Sequence, residues 1–208
     1  MKYFNFVLVT LIMLLVVLSL RLHMDNIETR KENPITTDYA TRPDTYLESA
    51  NRDIKRHYFK TSQRGIDKAI TAMRLIEGEV DEKSVEAINY AIEELLLIKA
   101  EIAQDVVDHE HLKEGFTYAL NALAYTQMRA SEDFCNRGEN VMARDALIYA
   151  MDHLHNAMRF SDFEETQLEL TAFNTIDSLI NNDLIHKQAL QASLRPLIYV
   201  MDSIILQR

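Results

Sequence analysis

Eighteen consecutive residues, Tyr3 to Leu20 (YFNFVLVTLIMLLVVLSL), carry no charge, with Lys2 before them and Arg21 after. At a helical rise of ~1.5 Å per residue the run extends ~27 Å, enough to cross a bilayer's hydrocarbon core. A cleavable signal also opens on a charge and an apolar run. Its apolar region spans about 7–15 residues, however, and ends in small residues before the cut. Here the run passes into Ser19-Leu20-Arg21-Leu22-His23-Met24, with no Ala before Ala40. No Cys precedes Cys135, which excludes a lipoprotein signal. Residues 1–22 are therefore read as a transmembrane signal-anchor helix, and the protein as a single-pass membrane protein.

Lys2 and the α-amino group flank one end of the run, and Arg21, Arg30 and Lys31 flank the other, so the positive-inside bias is nearly balanced. Short N-terminal tails usually stay in the cytoplasm, which places the C-terminal domain outside it, in a periplasm or its equivalent. Residues 23–45 are polar, hold Pro34 and Pro43, and show no apolar period. They read as a flexible linker reaching ~25 Å as a coil.

Beyond the linker the chain must choose a secondary structure, and composition decides. Only four Gly and three Pro occur in 208 residues. Sheets joined by tight turns need Gly for positive φ, whereas Ala, Leu, Ile, Met, Glu and Lys favour helices. The fold class is all-α, with 46–208 expected as about six antiparallel helices near 46–77, 82–104, 110–136, 140–160, 163–180 and 184–206. Gly78 and Gly138 mark two helix ends. Asp81 and Ser84 mark a start, and Asn181-Asn182-Asp183 a break.

Glu86–Glu93 (EAINYAIE) matches Asp145–Asp152 (DALIYAMD) position by position, each after a turn Gly, and Leu197–Asp202 (LIYVMD) matches the end of the second copy. Apolar residues at i, i+3, i+4 and i+7 form one stripe through Val85, Ile88, Ala91, Ile92, Leu95, Ile98 and Ile102. A second runs through Ala143, Leu147, Ala150, Met151, Leu154 and Met158. Ala87 and Ala146 are expected at close helix contacts. In general plan this resembles the helical-hairpin repeats of the tetratricopeptide class. The copies lie 59 and 50 residues apart, against a constant period of about 34 in that class. Three helical-hairpin repeats and an irregular antiparallel bundle both satisfy the pattern.

A formal charge of −10 excludes duplex nucleic acid as a partner, because that surface needs concentrated Lys and Arg. The charge is uneven, however. Asn51–Arg74 holds seven basic and two acidic residues, and Glu77–Glu114 twelve acidic residues and three lysines. Either the first two helices pack with complementary flanks, or the basic one lies against anionic lipid headgroups. Cys135 alone cannot form an internal disulfide and reads as a small buried hydrophobe.

Two Asp-His-x-His strings supply the metal candidates Asp108, His111, Asp152 and His155, since Asp and His at i, i+3 share a helix face. Di-iron bundles use Glu-x-x-His instead. Asp108 also sits where a helix should start, and Leu154 and Met158 claim the core, leaving His153 and His155 on the flanks. No metal, catalytic residue or cofactor is therefore assigned, and no small-molecule substrate is identified. The aligned Tyr90, Tyr149 and Tyr199 are expected at packed helix interfaces. The reading is a non-enzymatic, membrane-tethered helical interaction or scaffold protein that binds a protein partner or copies of itself. The alternatives are an accessory subunit of a larger membrane complex, for which Thr10 and Ser19 could hydrogen-bond across helices, and a metal-binding bundle.

Overall fold

Helix ends set the architecture here more than helix interiors do. A computed structural model describes residues 33–161, 167–182 and 185–205, and among these every regular element is helical. The helices are α1 (Arg42–Lys55), α2 (Phe59–Glu77), α3 (Glu82–Ala103), α4 (His109–Asn136), α5 (Asn140–Phe160), α6 (Gln167–Asn181) and α7 (Lys187–Ile205). None of them is long and apolar enough to cross a membrane. The Tyr3–Leu20 run lies outside the described residues.

The compact unit that holds the described helices begins at Pro34, earlier than the boundary at 46 that polarity suggested. Ile35 and Ala40 are 1% and 0% exposed, and Pro43 and Asp44 are buried in the first turn of α1. Two apolar residues in a polar stretch are too few to show a period, yet both enter the core.

The helix expected over 46–77 is two helices. The His57 N–H donates to the Ile54 carbonyl and the Tyr58 N–H to that of Asp53, with His57 at φ 60°. This is a Schellman ending built on histidine rather than glycine. Asp105, at φ 56°, ends α3 with the same pair of bonds, to Ile102 and Glu101. Gly138, at φ 79°, ends α4 likewise, as its residue type predicts. Gly78, by contrast, has φ −66° and stays right-handed. The starts follow expectation: Asp81 accepts from the Ser84 N–H at 2.9 Å, and Asp108 from the Glu110 and His111 N–H groups.

Successive helices pack on one another along the chain, and α4, 28 residues long, also packs on α7. The Tyr118 hydroxyl on α4 donates to the Ile205 carbonyl at 2.8 Å, tying the last helix to the spine. Side chains from Ile35 to Ile205 join one apolar core. The first two matched segments bury the same face, with Ala87, Ile88 and Ala91 on α3 and Ala146, Leu147 and Ala150 on α5 all at 0% exposure. The third does not. Val200, aligned with Ala91 and Ala150, is 43% exposed, and Tyr199 is 77% exposed whereas Tyr90 and Tyr149 are half-buried. Among the described residues the ion pair that joins α2 to α3 is Asp67 with Lys99, the minority charge of each helix.

Candidate functional site

The length of α1 and the last turn of α5 enclose a cleft of about 430 Å³. From α1 it is lined by Asp44, Glu48, Asn51, Arg52 and Lys55, from the C-cap of that helix by Arg56, and from α5 by Asn156, Arg159 and Phe160. Spacing explains the α1 set: positions 48, 52, 55 and 56 fall at i, i+4, i+7 and i+8, one helical stripe. On the same helix Leu47, Ala50 and Ile54 face the core. An adjoining hollow of about 260 Å³ shares Asn51, Lys55, Arg159 and Phe160 and reaches Lys113 at the start of α4. The Phe160 ring meets Phe116 of α4 edge-on, centroids 5.4 Å apart, which fixes the cleft's apolar wall.

Its inner end is a polar triad in which Asp44 and His153 are buried and Asn156 is half-buried. Asp44, 5% exposed, accepts from His153 Nδ1 at 2.8 Å on one oxygen and from Asn156 Nδ2 at 2.8 Å on the other. A carboxylate only accepts, so the proton of this bond belongs to His153 Nδ1. His153 is 0% exposed, and its Nε2 has no hydrogen-bond partner. Two helices distant in sequence are thus pinned by one carboxylate. At the surface Glu48 pairs with Arg159 at 3.3 Å. The neighbouring Asp152 carboxyl is pushed up by partial burial, with Asp44 adding to the shift and His153 and His155 opposing it.

The burial of His153 corrects its expected place on a flank. Ala150, His153, Leu154 and Ala157 stand at i, i+3, i+4 and i+7, and all four are fully buried. That spacing was the available signal. Asp44, its partner, gave none, because it lay in a stretch read as linker.

The metal candidates separate. Asp108 is occupied as the N-cap of α4. His111 bridges two carboxylates of α3, with Nδ1 2.9 Å from Glu101 and Nε2 2.7 Å from Glu94. The Glu101 hydrogen bond, helped by Glu94, raises the His111 pKa against the opposing effect of burial. Asp152 and His155 are exposed on α5. Among the described residues no three His, Cys, Asp or Glu side chains form a group able to hold a metal ion.

A second polar cluster ties α3, α4 and α7 together. The buried Tyr125 hydroxyl donates to Asp202, which also pairs with Lys83, while Arg129 reaches Asp81 at 2.8 Å and Asp202 at 3.9 Å. Burial and the Asp202 bond push the Tyr125 phenol well above its usual range. Burial raises the Asp81 carboxyl, but Arg129 and the Ser84 cap outweigh it and hold the group low. Cys135 is 6% exposed, and burial pushes its thiol up, the opposite of a reactive thiolate. Comparison with protein-family models, with curated proteins and with solved structures finds no match to this chain.

Proposed function

We propose that this chain is a non-enzymatic interaction protein, held to a membrane by its Tyr3–Leu20 segment, whose extracytoplasmic helical-hairpin domain binds a protein partner or another copy of itself. One observation carries the reading: helices pack mainly on their neighbours in sequence, and α3 and α5 bury the same small-residue face through Ala87 and Ala146. Stacking of this kind consumes one face of each hairpin and leaves the other free to present side chains. On α3 the free face carries Leu96 and Leu97, 45% and 57% exposed. Polar bonds are spent on holding helices together, as at Asp44–His153 and Tyr125–Asp202, which suits a rigid display surface.

The test is cross-linking of the intact protein in its native membranes, followed by affinity purification. A defined partner or a homo-oligomer, lost when Leu96 and Leu97 are replaced by Glu, is the expected result. Unchanged capture by that variant moves the interface elsewhere, and a chain recovered only as an uncross-linked monomer overturns the proposal.

A further inference from the structure

We propose that the cleft between α1 and α5 is a binding site for a phosphate group, carried either by a lipid headgroup or by a soluble phosphate monoester. The charge inventory points there first. In a chain of net charge −10, the cleft gathers Arg52, Lys55, Arg56 and Arg159 against two carboxylates. Those carboxylates are already engaged, Asp44 by His153 and Asn156, and Glu48 by Arg159. Arg52, Lys55 and Arg56 are exposed, and among the described residues none has an ion-pair partner.

Helix stability does not account for them. Cations in a last turn complement the terminal carbonyls, but Arg52 stands i, i+3 from Lys55 and i, i+4 from Arg56, spacings at which like charges repel. A bound anion removes that repulsion. A carboxylate offers two oxygens and one charge, which a single guanidinium satisfies. A phosphate monoester carries about 1.5–2 negative charges on three terminal oxygens. Arg52, Lys55 and Arg56 supply one cation for each terminal oxygen, and the Asn51 amide offers a further donor. The volume of about 430 Å³ is that of a small-ligand pocket. The Phe160 wall and the adjoining hollow toward Lys113 leave room for the organic part of the ligand.

The experiment uses the full chain in nanodiscs of zwitterionic phosphatidylcholine, which has no net charge and no phosphate monoester, titrated calorimetrically with glycerol 3-phosphate and, as the control, acetate. Saturable binding of glycerol 3-phosphate but not acetate is expected. Replacing Arg52 and Arg56 by Ala should weaken it about tenfold or more. Replacing the exposed Arg64 and Arg74, which remove equal charge outside the cleft, should leave it within about twofold. A second arm adds phosphatidic acid to the nanodiscs. Loss of the titration there assigns the site to a lipid headgroup, and its persistence assigns it to a soluble ligand; both support the phosphate chemistry. No binding above acetate, or equal weakening by both variant pairs in chains of unchanged helicity, overturns it.

Discussion

At the scale of single residues, the buried Asp44 matters more to this fold than any exposed charge. Removing it leaves the His153 Nδ1–H and the Asn156 amide without their acceptor, and an unsatisfied buried donor costs about 1–3 kcal/mol. Asp44→Ala should therefore destabilise the protein by about 2–3 kcal/mol in urea unfolding. Glu48→Ala, which breaks the half-exposed pair with Arg159, should stay below ~1 kcal/mol. Equal effects would mean that the triad is not the pin between α1 and α5. His111 gives the chain a pH dependence whose sign follows from its partners. Its folded pKa is raised above the ordinary value of about 6.5 by Glu101 and Glu94. The resulting stabilisation is complete below the unfolded value and fades as pH rises through the folded one. The urea midpoint should accordingly fall across the range above about pH 6.5 by more in wild type than in His111→Gln. Parallel curves would show that the bridge between α3 and α4 contributes nothing.

At the scale of elements, sequence periodicity was informative wherever a helix had one buried stripe. The stripes through Ile88, Leu95 and Ile102 and through Leu147 and Leu154 are buried as expected, and Ala87 and Ala146 are both fully enclosed. Ala146→Leu should overpack the α5 interface at about 1–3 kcal/mol, while Ile148→Leu on the 40% exposed face should be near neutral. Thermal melts of the two variants check this. Asn89, the matching position on α3, makes a poorer control because its amide donates to Glu77 at 3.2 Å. Gly115 tests the contact of α4 with α3. A Cβ there would stand 2.3 Å from Ile98 Cδ1 and 3.2 Å from Glu94 Cγ. Ala gains about 0.5–1 kcal/mol over Gly in a helix, but Ile98 is 1% exposed and must be displaced within a packed core. Gly115→Ala should thus be net destabilising, and shortening the neighbour with Ile98→Val should recover part of the loss, a coupling that a double-mutant cycle reads directly. What periodicity could not show was where helices stop without Gly or Pro. His57 and Asp105 end α1 and α3 in the left-handed region, and neither residue type announces it as glycine does. The cleft was half legible for the same reason. Its cations stood out as a basic run, but only a helix break at His57 and a return of α5 make that run one wall of a concavity.

At the scale of the whole molecule, the question is where the domain begins and what it can lose. Polarity drew the boundary at residue 46, and the structure draws it at Pro34. A chain beginning at Tyr46 lacks Ile35, Ala40 and Asp44, which are 1%, 0% and 5% exposed in the full fold. Burying one Ile contributes about 1.5–3 kcal/mol, and stranding the buried His153 donor costs about 1–3 kcal/mol more. The truncation also removes the first turn of α1, including Pro43, whose fixed φ suits a helix start. Against a domain stability of about 5–15 kcal/mol these losses are a large fraction. A chain beginning at Asn33 should therefore remain helical, monodisperse and cooperative in its melt. The one beginning at Tyr46 should melt many degrees lower or aggregate, since several kcal/mol shift the midpoint of a domain this size by roughly 2–4 °C for each kcal/mol. Circular dichroism melts of the two chains, with size-exclusion profiles, make the comparison. Restoring only residues 42–45 isolates the contributions, because it returns Pro43 and Asp44 but not Ile35 or Ala40. Recovery of about half the lost stability is the expected result. Equal melting of the 33 and 46 chains would mean that residues 34–45 rest on the domain without supporting it, and the polarity boundary would stand after all.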